Sequence, residues 1–361
     1  MTPAEDGPRA GIPVHVLTGF LGSGKTTLLR HWLNDPGLQD TAVLVNEFGA
    51  VGLDHHLLTA MDKELVLLAN GCVCCSIRGD LAGALNQLLQ DRAAGRIPPF
   101  RRVVIETTGL AEPAPICATV LVEPRLRHAF ALGNIICCLD SLLGVEQLER
   151  QPIARQQVVT ADRLILTKTD LVPDEGLSAL RTQTVALNPA ALMTESTLAA
   201  PAPATLLMEG SFSEEGRVDE VRRWAALAAR KGGFSLAGQR IAEETSTNDI
   251  AATVLEIDEP LPWERFVLWL TMLLHAHGAQ ILRTKAILQV DGAITPVALH
   301  AVQHIVHPPL HLRAAPPGLT GSQIVMITQN LPREALRTSF QAFVLRGINR
   351  GTALSLGEAH P

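Results

Sequence analysis

A glycine-rich segment near the start of the chain has the residue types and spacing of a phosphate-binding loop. Residues 19–26 read Gly-Phe-Leu-Gly-Ser-Gly-Lys-Thr and follow an apolar run. Such glycines let backbone N–H groups at a helix N-terminus face phosphate oxygens, while the lysine neutralises phosphate charge and the threonine hydroxyl ligates magnesium. A coincidental glycine-rich turn is the alternative. We predict that the nucleotide phosphates bind Gly19, Gly22, Ser23, Gly24, Lys25, Thr26 and Thr27.

A second apolar run ends in a carboxylate, as the other half of such a phosphate site requires. Residues 103–109 read Val-Val-Ile-Glu-Thr-Thr-Gly. In a parallel sheet this run can lie beside the strand that leads into the glycine-rich loop. Glu106 would then hold magnesium or its water shell, and the Gly109 N–H would contact the γ-phosphate. A surface carboxylate at a strand end is the alternative.

A polar motif after another apolar run resembles the segment with which GTPases recognise guanine. It reads Thr167-Lys-Thr-Asp170, where Asn-Lys-x-Asp is the usual order. Asp170 would accept hydrogen bonds from the ring N–H and exocyclic amine of guanine, and Lys168 would lie along the base. Because the Thr167 side chain is shorter than asparagine, we expect a weaker tether to the neighbouring loop and modest selectivity. A charged turn is the alternative.

Three of the six cysteines are crowded into the segment Cys72-Val-Cys74-Cys75, which we predict to be a loop leading into a helix. Thiolates favour Zn(II), Cu(I) or iron–sulfur clusters, and tetrahedral zinc needs a fourth ligand that this motif does not supply. We predict an open or shared transition-metal site here, with small buried apolar residues as the alternative. The remaining cysteines are expected to be buried core residues: Cys117, Cys137 and Cys138.

The elements around these motifs alternate between short β-branched runs and stretches of helical period from residue 14 to about residue 187. This alternation is typical of βα units on a mostly parallel, doubly wound sheet, so we predict an α/β P-loop domain at residues 1–200. Residues 198–205 contain two prolines and have no periodicity, which favours an extended connector. We predict a linker with a connecting helix at 201–249 and a smaller α+β domain with an antiparallel sheet at 250–361.

Charge and hydropathy restrict the partners and the compartment. The chain has 30 Lys and Arg against 36 Asp and Glu, a formal net charge of −6, so it lacks a broad positive field for nucleic acid or anionic membranes. Residues 1–11 carry acidic residues where a signal peptide is basic, and no run of about 18 apolar residues follows. We expect a cytosolic protein with reduced cysteines that binds neither nucleic acid nor membranes.

Together these motifs resemble the CobW family of P-loop GTPases, relatives of the urease and hydrogenase accessory GTPases. The resemblance covers nearly the whole chain, and its cysteine and glutamate motifs are the specific ones. The segments that carry it are residues 19–26, Asn46-Glu-Phe-Gly49, Asn70-Gly-Cys-Val-Cys-Cys75, Glu106-Thr-Thr-Gly-Leu-Ala-Glu-Pro113, residues 281–285, Gln303-His304 and His307-Pro308.

The resemblance implies a metallochaperone that hydrolyses GTP to GDP with Mg²⁺, binds zinc or cobalt, and delivers the metal to a client protein. It places Glu47 in the first switch, where this carboxylate would contact magnesium, the attacking water or the transferred metal. Lys25 and Glu106 would assist catalysis, and without an identifiable glutamine or arginine finger we expect slow turnover. Two alternatives are a P-loop kinase or ATPase with a structural zinc, and a metal sensor or store that only binds nucleotide.

The histidine pattern departs from that of many family members, which carry a histidine-rich stretch between the two domains. Here no histidine occurs between His128 and His275. In the second domain His300 and His304 are predicted to share one face of a strand, with His307 just beyond it. Half-buried structural histidines are the favoured interpretation, and an auxiliary metal or client surface is the alternative.

Overall fold

The computed structural model describes residues 11–38, 40–46, 66–67, 73–77, 80–188, 191–207, 234–235, 250–315 and 321–345. Contacts within the chain divide it into two compact units, Met1–Gly216 and Arg217–Pro361. Each unit has its own sheet. The domain bounds predicted from the sequence, including the linker at 201–249, stay predictions.

In the described part of the first unit, eight strands form one sheet: β1 (Ile12–Thr18), β2 (Thr41–Asn46), β3 (Val66–Leu67), β4 (Val73–Ile77), β5 (Arg102–Glu106), β6 (Phe130–Asp140), β7 (Arg163–Thr167) and β8 (Leu192–Ser196). Their order is β3-β4-β2-β5-β1-β6-β7-β8. The edge strand β3 is antiparallel to β4, and the other described neighbours are parallel. Continuous apolar runs suit parallel strands that are covered on both faces. The predicted α/β class is confirmed.

The helices described in the first unit follow the strands along the chain: α1 (Lys25–Leu33), α2 (Leu81–Ala93), α3 (Pro113–Val122), α4 (Gly144–Arg150), α5 (Pro152–Thr160) and α6 (Asp174–Leu187). Proline opens both α3 and α5, where its missing N–H leaves no helical hydrogen bond unmade. Because a helix follows each of several parallel strands, the loops at the carboxyl edge of the sheet connect strand ends to helix starts.

Part of the predicted connector at residues 198–205 belongs to the core of the first unit. Ala202 and Ala204 are buried in a cluster with Leu28 and Trp32 of α1. The indole N–H of Trp32 donates a hydrogen bond to the carbonyl oxygen of Ala202 at 2.8 Å. An extended connector is therefore the wrong interpretation for the second half of this stretch, because its small side chains pack against a buried tryptophan.

In the described part of the second unit, seven strands form a sheet: β9 (Phe234–Ser235), β10 (Ile250–Ile257), β11 (Ile281–Leu288), β12 (Val297–Val302), β13 (Ile305–Val306), β14 (Leu310–His311) and β15 (Ser322–Gln329). The order is β13-β12-β11-β15-β10-β9, with β14 beside β12. The β9–β10 pair is parallel, and the other described pairs are antiparallel. The predicted antiparallel sheet is confirmed.

Helices α7 (Trp263–His277) and α8 (Arg333–Phe340) cover one face of this second sheet, and Gln341–Leu345 continue α8 as a π-helical turn. Trp269 packs edge to face on Phe340, with ring centroids 4.9 Å apart, and its indole N–H donates to the Ser339 hydroxyl. The buried core lies between these helices and the sheet. None of the helices that the structure describes is long and apolar enough to cross a bilayer.

Candidate functional site

The glycine-rich segment lies where its motif requires, between the end of β1 at Thr18 and the start of α1 at Lys25. Gly19 has a φ of 140°. A Cβ atom at Gly19 would come within 2.3 Å of the carbonyl oxygen of Cys138 and 2.6 Å of the Ser23 hydroxyl oxygen. Only glycine therefore fits at this turn, which brings the loop against β6 at the carboxyl edge of the sheet.

The Lys25 side chain is buried inside the loop that it follows. Its Nζ donates hydrogen bonds to the carbonyl oxygens of Gly19 at 2.8 Å and Phe20 at 3.0 Å. Burial lowers the pKa of Lys25 below its usual value, and the neighbouring Glu106 carboxylate opposes that shift. The loop thus holds a positive charge at the point where phosphate charge would be neutralised.

Thr26 and Glu106, both predicted as magnesium ligands, lie in contact. The Thr26 hydroxyl donates to Glu106 Oε1 at 2.5 Å. Strand β5 pairs with β1 so that Glu106 lies opposite Leu17, at the edge where the glycine-rich loop begins. Glu106 is 4% exposed. A buried carboxylate beside a hydroxyl is a set of hard oxygen donors that suits Mg²⁺.

The loop that follows Glu106, residues 107–112, is packed against the glycine-rich loop. The Thr107 N–H donates to the Leu17 carbonyl at 2.9 Å, and its hydroxyl contacts that of Thr18 at 3.0 Å. A Cβ atom at Gly109 would lie only 2.6 Å from the backbone nitrogen of Leu21. Gly109, predicted to contact the γ-phosphate, is therefore held directly beside the predicted phosphate site.

The segment predicted to bind guanine is attached to the same loop through Thr167. Its hydroxyl lies 2.9 Å from the Ser23 carbonyl oxygen and 3.0 Å from the Leu139 carbonyl oxygen. A hydroxyl has one hydrogen, so it donates to one of these oxygens at a time. The shorter side chain therefore reaches the glycine-rich loop, and the expected weaker tether and modest selectivity stay predictions.

Lys168 adds a second connection, through a residue that the sequence analysis did not identify. Its Nζ lies 2.6 Å from Asp140 Oδ2 and donates to the Gly22 carbonyl oxygen at 2.9 Å. The buried Asp140 also accepts the Leu142 N–H through Oδ1. Asp140 ends an apolar strand as Glu106 does, and that shared pattern is the signal that could have revealed it. Asp170 is exposed in the 3-10 turn Thr169–Leu171.

The end of β8 is a further part of this edge that the sequence analysis missed. Ser196 lies opposite Thr167 across the β7–β8 pair. The Ser196 hydroxyl accepts the Ala202 N–H at 3.0 Å, and Thr197 and Ala200 close a tight turn by two hydrogen bonds. The loop after β8 is therefore a neighbour of the predicted guanine motif.

The cysteine motif falls only partly within the described residues. Cys74 and Cys75 lie in β4, paired with Val43 and Leu44 of β2, rather than in the predicted loop. This parallel pairing with β2 extends the sheet by one strand. Cys72 and Glu47 lie outside the described residues. Among the described residues, no group of three or more His, Cys, Asp or Glu side chains could hold a metal ion. The predicted thiolate site stays a prediction.

The other three cysteines are buried, as predicted: Cys117, Cys137 and Cys138. Burial raises the pKa of Cys138 to about 12 and raises that of Cys137 as well. These thiols are therefore neutral at physiological pH and serve as core residues, which separates them from the predicted metal ligands.

The second-unit histidines do not share one strand face. His300 is buried in β12, whereas β12 ends at Val302 and His304 is exposed in the turn before β13. The prediction that both alternate on one strand is wrong because the chain reverses direction between them. The His300 and His307 rings lie 6.1 Å apart.

The fold and the site define the class of protein: a P-loop nucleotide-binding domain followed by a separate domain with a mostly antiparallel sheet. The family model for the CobW/HypB/UreG nucleotide-binding domain matches residues 13–195, and the model for the cobalamin synthesis protein cobW C-terminal domain matches residues 250–344. The chain belongs to the CobW/HypB/UreG family, which confirms the resemblance found in the sequence.

The names of similar proteins refer to zinc, and one of them also refers to a GTPase. The zinc chaperone YjiA of Escherichia coli (strain K12) is 33% identical over 332 residues, which is 91% of this chain and 98% of YjiA. The zinc-regulated GTPase metalloprotein activator 1 of Schizosaccharomyces pombe is 36% identical over 194 residues, covering 52% of this chain and 46% of that protein. The zinc chaperone CobW of Pseudomonas aeruginosa is 32% identical over 214 residues, covering 51% and 56%.

Two solved structures resemble the chain over most of its length. The Zn(II)-bound YjiA GTPase from E. coli has a TM-score of 0.66 and 28% identity, and the match covers 93% of this chain and 99% of that one. A Zn(II)-bound triple mutant of the YjiA GTPase, in which one glutamate and two cysteines are replaced by alanine, has the same TM-score, identity and coverage.

Proposed function

We propose that this protein is a GTP-hydrolysing metallochaperone of the cytoplasm that binds zinc through Cys72, Cys74 and Cys75 and delivers it to a client metalloprotein. The observation that carries the nucleotide half is the Thr26–Glu106 contact beside the glycine-rich loop. The metal half rests on the cysteine motif and on relatives that are named zinc chaperones.

The proposed nucleotide chemistry uses the described edge of the first sheet. Lys25 would exchange its hydrogen bonds to the Gly19 and Phe20 carbonyls for bonds to phosphate oxygens. Thr26 and Glu106 would hold Mg²⁺, which neutralises charge that develops on the phosphoryl group. Leu110 follows Gly109 where a water-orienting glutamine could stand, so we expect slow intrinsic hydrolysis. Asp170 and Lys168 would select guanine.

The proposed coupling between metal and nucleotide is supported by the order of the strands. Cys74 pairs with Val43 of β2, and Val43 pairs on its other side with Val104 of β5. Two strand spacings of about 4.8 Å therefore separate the backbone of the cysteine strand from the strand that ends in Glu106. The segment that carries Glu47 begins at the end of β2, which lies between these two strands. A γ-phosphate that orders this segment would also act on the cysteines.

The test compares the zinc and cobalt affinities of the reduced protein in its Mg·GTP-analogue and Mg·GDP forms, by competition with a chromophoric chelator. We expect the GTP-like form to bind zinc at least about tenfold more tightly, a coupling of roughly 1.4 kcal/mol, and Cys74→Ser to abolish the difference. Zinc uptake should also release protons, because the thiols must ionise. A YjiA mutant that lacks one glutamate and two cysteines still has zinc bound. The number of zinc ions bound by each variant is therefore measured before the affinities are compared.

Equal zinc affinities in the two nucleotide forms would contradict the coupled mechanism and favour a GTPase with a structural thiolate site. Delivery is tested separately, by following zinc transfer to a chelator after GTP is added to the loaded protein. Transfer that is no faster with GTP than with its non-hydrolysable analogue would contradict a role for hydrolysis. Equal affinities for ATP and GTP would contradict the guanine assignment.

A further inference from the structure

The side chain of Gln157 in α5 is fully buried and points at the loop of residues 107–112. Its Nε2 donates hydrogen bonds to the carbonyl oxygens of Gly109 at 3.2 Å and Ala111 at 3.0 Å. Gln157 is 48 positions from Gly109 in the chain, so only the fold brings the two together. No nucleotide-binding motif of the sequence contains this glutamine.

The orientation of the Gln157 amide follows from its two contacts. An amide nitrogen carries two hydrogens, one for each carbonyl oxygen, whereas the flipped amide would place its own oxygen against two carbonyl oxygens. Among the described residues, Gln157 Oε1 accepts no hydrogen bond, although it is buried. An apolar side chain at position 157 would fill this space without burying an oxygen that accepts no hydrogen bond. The two N–H donors of the amide therefore explain why a glutamine fits here.

The two carbonyl contacts determine which way the loop presents its N–H groups. A peptide group is planar and trans, so the N–H of Leu110 points opposite to the Gly109 carbonyl that Gln157 holds. Gly109 is confined on its other side by the backbone of Leu21 in the glycine-rich loop. The loop itself contains no glutamine between Thr107 and Glu112. The side chain of Gln157 therefore adds to the Thr107 and Gly109 contacts that hold this loop.

We propose that Gln157 is a positioning residue for this loop and that its amide determines how strongly the protein prefers GTP to GDP. It holds the Gly109 and Ala111 carbonyls so that the N–H groups of Leu110 and Glu112, on the opposite edges of those two peptide groups, are available to the γ-phosphate beside the predicted Gly109 donor. This inference rests on the proposed GTPase function and adds to it a residue that acts on the γ-phosphate through the backbone of the loop.

The test uses the full-length protein and two substitutions of equal size on the same helix. Gln157→Met keeps the length of the side chain and removes both donors. Gln156→Met is the matched control, because Gln156 is only partly buried and its side chain makes no described hydrogen bond to the loop. Affinities for GDP and for a non-hydrolysable GTP analogue are measured with Mg²⁺ by displacement of a fluorescent nucleotide, and melting temperatures are recorded.

For Gln157→Met we expect the ratio of GTP-analogue to GDP affinity to fall about fivefold or more, the effect of losing one to two hydrogen bonds, while the GDP affinity changes less than about twofold. Gln156→Met should match the wild type. If Gln157→Met does not fold, Gln157→Glu is used instead; it keeps the shape, offers at most one hydrogen to two carbonyls, and should shift the ratio in the same direction.

Equal losses of GTP-analogue and GDP affinity, together with a lower melting temperature, would overturn the proposal, because a merely structural residue affects both nucleotides alike. An unchanged ratio would overturn it too, while leaving the GTPase function intact. A wild-type protein that binds no GTP analogue would instead overturn the proposed function, and with it this inference.

Discussion

The ion pair between Lys168 and Asp140 provides a quantitative test of how the guanine segment is held. In Asp140→Asn the shape is kept and the amide oxygen can still accept the Leu142 N–H, but the charge opposite Lys168 Nζ is removed. The Asp140 side chain is 2% exposed and that of Lys168 is 36% exposed. This places the pair between an exposed pair, worth about 0–1 kcal/mol, and a buried one whose disruption costs about 3–5 kcal/mol. We expect Asp140→Asn to lower the free energy of unfolding by about 2 kcal/mol.

The assay is calorimetric melting of the full chain. It follows the unfolding transition whose melting temperature increases when GDP is added. For a unit of about 200 residues, 2 kcal/mol corresponds to a decrease in Tm of about 4–8 °C. GDP affinity should also fall roughly tenfold, because Lys168 loses its charged partner and keeps only its hydrogen bond to the Gly22 carbonyl. Glu146→Gln is the matched control: it neutralises the carboxylate of an exposed pair with Arg150, and it should change stability by less than about 0.5 kcal/mol. If Asp140→Asn behaved like this control, the pair would not be what holds Lys168.

Three further predictions concern the phosphate side of the site and the sheet beneath it. Glu106→Gln should weaken GDP binding about tenfold with Mg²⁺ present and little in EDTA, because the carboxylate acts through the metal; equal losses in both media would exclude that role. Gly109→Ala should lower stability by about 1–3 kcal/mol in denaturant titrations, since its Cβ would lie 2.6 Å from the Leu21 nitrogen; wild-type stability would refute this clash. Burial lowers the pKa of His15 to about 3, so its imidazole is neutral in the folded protein. The stability that this neutral group contributes is fully present above the unfolded-state pKa of about 6.5 and is lost as the pH falls towards 3. His15→Gln should therefore show a shallower loss of stability between pH 6.5 and 4, and an unchanged slope would argue against the shift.

Much of the first unit could be predicted because its signals are local. The glycine-rich segment needs backbone torsions that glycine adopts readily, and apolar runs of β-branched residues form buried parallel strands. Glu106 could be placed at the sheet edge because parallel strands all end there. The helix starts at Pro113 and Pro152 follow from the same kind of local chemistry.

Two of the wrong predictions concern segments whose packing or pairing partner lies far along the chain. Residues 202–205 belong to the predicted connector, yet Ala202 and Ala204 are core residues because they pack in one cluster with Trp32, which donates its indole N–H to the Ala202 carbonyl. The segment with Cys74 and Cys75 has little strand signal of its own, and its pairing with β2 makes it a strand. The wrong prediction for His304 has a local cause instead, because the chain turns back after Val302 and pairs β12 with β13.

The sequence by itself predicted the class of nucleotide, the phosphate-binding residues and the two-domain order, because each of these predictions depends on residue types at short spacing. Only the tertiary structure decided which contacts hold the site together. Asp140 holds Lys168, Thr167 reaches the Ser23 carbonyl, and Gln157 holds the loop after Glu106. These contacts join strand ends and helices that are 28 to 144 positions apart, and such pairs meet only once strand order and register have brought one edge of the sheet together.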